Sequence, residues 1–262
     1  MILGVIGLGV VGSAYKKGLQ KWGHKVIGYD IKFKSEFSNI LETSVIFLCV
    51  PSPSRANGSA NTSIIESVLN KLNDCKYKNL VVICSTVPPG FTKRMQRKYK
   101  KIKICCVPEL LRERLSFKDF VNNRVVVVGV DNNYKFKIIK KCFPKKFELK
   151  KFSFEEAEIF KYLNNSLAAL RVVYANIFYE LCQKYKSNYK KIKNAYIQTG
   201  KINDLYLNVS SKLRGYAGVC LPKDVKALEK VLREKKLNFK LISAINQDNL
   251  IFKKTVFAGM RK

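Results

Sequence analysis

Through the first half of the chain, short runs of branched and aliphatic residues alternate with stretches whose apolar positions recur every three or four residues. The runs are Ile2 to Ile6, Lys25 to Tyr29, Val45 to Val50, Leu80 to Cys84, Ile102 to Val107 and Arg124 to Val130. Such near-continuous apolar strands fit a parallel sheet covered on both faces, because neither side needs polar residues for water. The alternation of strand and helix predicts a doubly wound α/β domain. A helix around Tyr134 to Cys142 and a short strand at Phe147 to Leu149 complete it. From Phe154 the texture changes to one long helical pattern, with Ala157, Phe160, Leu163, Leu167, Leu170, Tyr174 and Ile177 at spacings of three and four, running to about Lys186. Further helices are predicted at Tyr189 to Thr199, Pro222 to Lys235 and Phe239 to about Lys254. The expected organisation is a strand–helix domain over 1–152, an all-helical domain over 153–254 and a C-terminal stub over 255–262.

Composition narrows the chemistry. The chain has 262 residues, enough for two domains with real cores, and no apolar stretch of membrane-spanning length. The apolar opening is not preceded by a basic segment, which argues against a secretory signal and for a cytoplasmic protein. The eight cysteines include no metal-type Cys-x-x-Cys pair, and Cys49, Cys84, Cys105 and Cys106 lie in or beside the apolar runs, as structural thiols do. With His24 the single histidine, His-based triads and multi-His metal sites are excluded, so no metal centre is expected and acid–base chemistry falls to Lys, Cys and carboxylates. The net charge of +31 suits a polyanionic partner, but the lysines are spread along the whole length. That favours a compositional bias over a nucleic-acid site, with a field that still attracts anionic small molecules.

Gly7-Leu8-Gly9-Val10-Val11-Gly12 follows the first strand and opens an amphipathic helix, and Asp30 ends the next strand. Strand, glycine turn, helix, strand and terminal acid in this order form the dinucleotide fingerprint of a Rossmann-like domain. Gly7 permits the turn, Gly9 lets the backbone approach a pyrophosphate, and Gly12 lets helix pack on strand. A carboxylate at Asp30 would accept from a ribose 2′-hydroxyl and repel a 2′-phosphate, which predicts NAD as the cofactor, although Lys32 and Lys34 lie close by.

Several further segments, in order along essentially the whole chain, resemble the family of UDP-glucose and related nucleotide-sugar dehydrogenases. Val50-Pro51-Ser52-Pro53 with Asn57-Gly58-Ser59 is similar to its Val-Pro-Thr-Pro turn and downstream Asp-Gly-Ser loop, and Ser85-Thr86-Val87-Pro88 to its Ser-Thr-Val-Pro segment. Pro108-Glu109-Leu110-Leu111-Arg112-Glu113 resembles Pro-Glu-Phe-Leu-Arg-Glu, and Glu156-Ala157-Glu158 through Lys161, Tyr162 and Asn165 resembles a Glu-Ala-Glu-x-x-Lys-Tyr-x-x-Asn run. The most specific segment, Gly215-Tyr216-Ala217-Gly218-Val219-Cys220-Leu221-Pro222-Lys223-Asp224, resembles Gly-Tyr-Gly-Gly-x-Cys-Leu-Pro-Lys-Asp. On the residues alone, Pro222 suits a first helical turn, which puts Cys220 at a helix N-terminus among lysines, an environment that favours thiolate. Lys161 and Asn165, one turn apart on the long helix, project together as an oxyanion site requires.

The resemblance implies an NAD-dependent, four-electron oxidation of a nucleotide-sugar alcohol to the uronic acid, UDP-glucose to UDP-glucuronate, through a Cys220 thiohemiacetal and thioester. It implies a nucleophile at Cys220, oxyanion and water contacts from Lys161, Asn165 and Asp224, and assistance to hydrolysis from Glu109. Gly7, Gly9, Val10, Val11, Gly12, Asp30, Val50, Pro51, Ser85, Thr86 and Glu113 would hold NAD. Glu109, Leu110, Leu111, Arg112, Lys161, Asn165, Lys201, Gly215 and Gly218 would hold the UDP-sugar, and the long helix would pair two copies into a homodimer. The pattern also departs from the family. The chain ends where a C-terminal UDP-binding domain is expected to begin, Arg114 and Ala217 stand where glycines are usual, and Ser210 to Arg214 is longer than the usual substrate loop. Lys212 and Arg214 are candidates for contacting a diphosphate in compensation. The alternatives are a catalytically impaired NAD-binding remnant or regulatory subunit, and a basic binding protein on the same scaffold.

Overall fold

The apolar runs form strands because β-branched side chains pack well on a pleated surface covered from both sides. The computed structural model describes residues 1–33 and 35–252; Lys34 and the stub expected over 255–262 lie outside the described residues. Strands β1 (Ile2–Ile6), β2 (Lys25–Tyr29), β3 (Val45–Leu48), β4 (Leu80–Ile83), β5 (Lys103–Cys106), β6 (Val125–Gly129) and β7 (Glu148–Phe152) make a seven-stranded sheet in the order β2-β1-β3-β4-β5-β6-β7. Every residue of β3 and β4 is buried, as expected of central strands, whereas the outer strands β2 and β7 are only partly covered.

Two features differ from the expected parallel sheet. β6 meets β5 antiparallel, through Cys106 and Gly129, while all other neighbours run parallel. An apolar run reports that a strand is buried and is silent about its direction. β7 also extends past Leu149 through Lys150 and Lys151 to Phe152, because an edge strand can point lysines into water. The strands stop short of Val50 and Cys84 because the chain turns there into loops, Pro51 having no N–H to give a ladder.

The helices of the first part are α1 (Val10–Lys21), α2 (Ser63–Asp74), α3 (Phe91–Lys98), α4 (Ser116–Asn122) and α5 (Asn133–Lys140). They are followed by α6 (Phe154–Lys184), α7 (Tyr189–Gln198), α8 (Leu221–Glu234) and α9 (Leu241–Ile251). The chain leaves β1 for β2 on one side and returns for β3 on the other, so a crevice opens beyond the carboxyl ends of β1 and β3. Open α/β sheets bind ligands at such a switch point.

Two compact units result. The first comprises Met1–Pro53 and Ala60–Lys161, and the second Ser54–Ser59 with the residues from Tyr162 onward, so the division falls inside α6. The first is built on the sheet core and an aromatic cluster of Tyr15, Trp22, Phe47, Phe120, Phe143 and Phe147. The second is built on Ala169, Val172, Val173, Tyr216, Val225, Ile245 and Phe252, with a smaller cluster of Ala175, Cys182, Tyr189 and Leu207. Among the described residues no helix is long and apolar enough to cross a membrane.

Candidate functional site

The glycine turn after β1 is shaped for a dinucleotide. Gly7 takes a φ of 88°, which side-chain-bearing residues rarely adopt, and a Cβ there would lie 2.8 Å from the Cys49 carbonyl oxygen. Gly12 packs still closer, with room for no Cβ beside the Gly7 carbonyl oxygen. At Gly9, by contrast, a Cβ would meet nothing within 4 Å, so the space over the turn is open to a ligand. Gly9 is the N-cap of α1, no side chain caps that end, and Val10 and Val11 begin the helix with their N–H groups free of an acidic neighbour in the first turn. An uncapped, positively polarised helix end is an anion site.

Asp30 follows β2, and its two oxygens accept from the N–H of Leu8 at 2.7 Å and of Lys32 at 2.9 Å. The carboxylate is therefore locked beside the glycine turn with further lone pairs available for a ribose diol. An open cradle at Gly9 beside a fixed acid fits NAD. Across the crevice, Ser85 donates through Oγ to the Val50 carbonyl at 2.6 Å, which ties the loop after β4 to the Val50-Pro51 loop after β3. Thr86 lines a shallow recess with Ser85, Pro108, Glu158 and Lys161.

Beyond β5 the chain turns at Pro108 into Glu109, whose Oε1 accepts from the Leu110 N–H at 2.9 Å. Burial raises the Glu109 pKa, opposed by a hydrogen bond from the Tyr15 phenol, the nearby Lys161 ammonium and the N–H groups of Leu110 and Leu111. The Lys161 ammonium donates to the Glu109 carbonyl oxygen. One turn earlier on α6, Glu158 accepts from the N–H groups of Gly90 at 2.5 Å and Thr92 at 2.8 Å at the start of α3, and burial pushes its pKa up to about 7. Its fixed carboxylate holds the Lys161 segment against the loop that bears Thr86. Arg112 is engaged in a two-pronged ion pair with Asp119, at 2.9 and 2.6 Å, which holds the Asp119 carboxyl below its usual range. Leu111 lines an apolar cavity beneath this segment together with Leu110, and Glu113 stands exposed at the start of a single 3₁₀ turn.

In the second unit, Cys220 is the N-cap of α8, with Pro222 in the first turn and its own carbonyl accepting from the Asp224 N–H at 2.9 Å. Its residue is exposed. Asp224 is 1% exposed, and its carboxylate accepts from the Asn165 amide at 2.5 Å and from the Lys223 ammonium. The Asn164 amide in turn donates to Oδ1 of the Asn165 side chain at 2.8 Å. A buried acid is thus held one turn from the thiol by an amide of the long helix. The preceding loop is clamped to α9, where Asn249 accepts from the Tyr216 N–H at 2.7 Å and donates to its carbonyl at 2.9 Å. Gly215 and Gly218 take positive φ values of 56° and 84°; Ala217 does not, so alanine is accommodated there without strain.

Other candidates are placed differently. Lys201 is exposed, just past the end of α7. The Arg214 guanidinium is bound to Asn176 and Glu180 and stacked on Tyr179 and Phe252, so it serves packing within its own unit rather than standing free for a diphosphate. His24 is turned toward the Cys142 carbonyl at 3.2 Å, and burial lowers its pKa. None of the eight cysteines, all among the described residues, is in a disulfide, and burial raises the pKa of Cys84, Cys105, Cys106 and Cys142. Sequence reasoning passed over Tyr15, Glu158 as a cap, Asn164 and Asn249. Glu158 alone carried a signal, its place in the Glu-Ala-Glu run.

Residues 31–146 match the NAD-binding domain of the UDP-glucose/GDP-mannose dehydrogenase family, and residues 155–250 match that family's central domain. The chain is 28% identical to the UDP-glucose 6-dehydrogenase of Rickettsia bellii over 250 residues, 90% of this chain and 56% of that protein. It is 31% identical to the UDP-glucose 6-dehydrogenase of Campylobacter jejuni over 229 residues, 84% of this chain and 57% of that one. The chain therefore spans about half the length of the curated relatives it matches. Its fold is that of a UDP-glucose dehydrogenase from the archaeon Pyrobaculum islandicum, with a TM-score of 0.87 at 23% identity over 95% of this chain and 68% of that one.

Proposed function

The chain belongs to the UDP-glucose/GDP-mannose dehydrogenase family, and from that premise we propose that it oxidises the C6 alcohol of UDP-glucose to the carboxylate of UDP-glucuronate. On this reading residues 1–152 hold NAD and residues 153–254 carry the reactive thiol. The observation that carries it is the exposed Cys220 at the start of α8 with the buried Asp224–Asn165 pair one turn behind.

The uncapped end of α1 would hold the pyrophosphate, Asp30 the adenosine ribose, and the loops bearing Val50-Pro51, Ser85-Thr86 and Glu113 the far end of the cofactor. Bound NAD supplies the hydride acceptor for each of the two oxidations. Lys161 and Asn165 offer an ammonium and an amide to the alkoxide of the substrate, while Glu109 to Arg112, Lys201, Gly215 and Gly218 contact the nucleotide sugar. The Cys220 thiolate adds to the aldehyde carbon to give a thiohemiacetal, so the intermediate is held covalently between the two oxidations. Loss of the second hydride leaves a thioester. Glu109 takes a proton from water as its oxygen adds to the acyl carbon, and the C–S bond breaks to return the thiolate. The balance is one alcohol, one water and two NAD giving one carboxylate, two NADH and three protons.

The test is NADH formation with a panel of UDP- and GDP-sugars. Two NADH per UDP-glucose consumed, with glucuronate as product, is expected. NAD binding without NADH from any sugar would instead make the chain a cofactor-binding subunit.

We also propose that α6 pairs two copies of the chain. Ile159, Leu163, Leu167, Tyr174, Ile177 and Leu181 are exposed, and at about 100° per residue they share an arc of about 80°. An apolar stripe of this length is otherwise a liability in water. Sedimentation should give twice the monomer mass, and Leu163→Asp with Leu167→Asp should give monomers; a monomeric parent chain would remove the proposal.

A further inference from the structure

Among the described residues two lysines are buried, Lys135 and Lys193. An ammonium taken out of water costs free energy unless its hydrogens find partners, so each marks something the fold must hold. Lys135 bonds Gln96 on α3 and Asp131 just ahead of α5, and so fixes α5 against α3. Lys193 is placed differently. It sits on α7, and both of its partners, the Asp204 carboxylate at 2.6 Å and the Asn208 side-chain oxygen at 2.7 Å, lie on the irregular stretch that follows that helix. One turn earlier on α7, the Tyr189 phenol donates to the Leu207 carbonyl at 3.0 Å. A single face of α7 thus grips residues 204, 207 and 208. Helix α6 takes the same stretch nearer its start, where Arg171 Nη2 donates to the Asn203 carbonyl at 2.5 Å and to the Asn203 side-chain oxygen at 2.9 Å. Between these ties Tyr206 takes a φ of 64°, a conformation that a bulky residue keeps where its surroundings enforce it.

We propose that Lys193 is a positioning residue for the nucleotide sugar, fixing residues 203–208 so that Lys201 is presented in one place. This rests on the role given to Lys201 above. Lys201 lies in the short link between the end of α7, where the Gly200 N–H donates to the Ile197 carbonyl at 3.0 Å, and the first tied residue, Asn203. Neither the link nor the stretch after it is helix or strand, so side chains must supply its order. Tyr189 reaches a backbone carbonyl there, whereas Lys193 joins charge to charge, which makes the stronger bond. A loop without such ties would have to be ordered at each binding event, and affinity would fall. A cation held on a preordered loop suits an anionic ligand such as the diphosphate of a nucleotide sugar.

Lys193→Met keeps the length of the stem and removes the ammonium. Asp204→Ala breaks the same bond from a side chain that is half exposed, and decides alone if the first variant does not fold. In the full chain, hydrogen exchange at the amides of 203–208 should quicken several-fold in both variants. UDP-glucose affinity, measured by calorimetry without NAD, should fall about tenfold in Lys193→Met and about threefold in Asp204→Ala, with NAD affinity at the parent level. In turnover the KM for UDP-glucose should rise by the same factors with kcat little changed, a split that simple loss of folded protein does not give. Unchanged exchange, or unchanged UDP-glucose affinity, overturns the proposal. A parent chain that binds UDP-glucose, loses that affinity in the variants and makes no NADH upholds it and removes the dehydrogenase reading instead. A parent chain that binds no UDP-glucose removes both.

Discussion

Cys220→Ala should form no UDP-glucuronate, with net turnover falling on the order of 1,000-fold or more while NAD binding stays at the parent level. The expectation follows from what only a sulfur can do at this position. Two hydrides must leave the same carbon, and between them the carbon is an aldehyde that either dissociates or hydrates. A thiolate bonded to it prevents both and gives the second oxidation an acyl product that water can open. Alanine offers no such bond, and serine at the same place would be almost wholly protonated at neutral pH. Cys220 is exposed, and its backbone carbonyl accepts from the Asp224 N–H at the start of α8, a bond that alanine supplies equally well. The variant should therefore fold, as its melting curve and its NAD binding would verify. Mass spectrometry of the parent enzyme, quenched with acid in the steady state with UDP-glucose, should also find the sugar on the peptide bearing Cys220. Stoichiometric oxidation to the acid by the alanine variant would place the covalent step elsewhere or remove it.

What the sequence disclosed of this fold and site follows from how far apart the partners lie along the chain. Strands β1, β3 and β4 were legible because their residues are buried on both faces and so had to be apolar throughout. Helix α6 was legible because its apolar positions repeat over its whole length. Direction was not, and β6 lies antiparallel to β5 with nothing in Val125–Gly129 to say so. The glycine turn and Asp30 could be read because a local steric need selects glycine and a fixed spacing brings the acid back to the Leu8 N–H. Asn165 and Asp224 are 59 residues apart, and only the resemblance of two separate motifs brought them into one reading. Arg214 misled for the same reason. A cation in a candidate substrate loop suggested a diphosphate, but its neighbours on the folded chain, Asn176 and Glu180, already use its donors.

Gly12→Ala should weaken both the fold and the cofactor site, and comparison with Gly9→Ala should separate the two. A Cβ at Gly12 would fall 1.8 Å from the Gly7 carbonyl oxygen, 2.9 Å from the carbonyl carbon and 3.2 Å from a methyl of Val5. Backbone cannot yield as a flexible side chain can, and Gly7 itself is held with no room against Cys49. Relief requires α1 to lift from β1, which loosens the packing of Tyr15 and Leu19 that anchors this helix in the core. A strain of this kind costs about 2–4 kcal/mol, which for a chain of this size lowers the melting temperature by roughly 5–15 °C. The lifted helix also carries its N–H groups away from the pyrophosphate position, so NAD affinity measured by calorimetry should fall by about 100-fold. Gly9 differs in each respect. Its φ of −68° suits alanine and its Cβ would meet no protein atom, so Gly9→Ala should melt like the parent chain. The added methyl does enter the space over the turn, so NAD affinity should drop with stability intact. Parent-level NAD affinity in Gly9→Ala would mean that the cofactor does not approach the backbone there, and the pyrophosphate would have to be sought at another edge of the crevice.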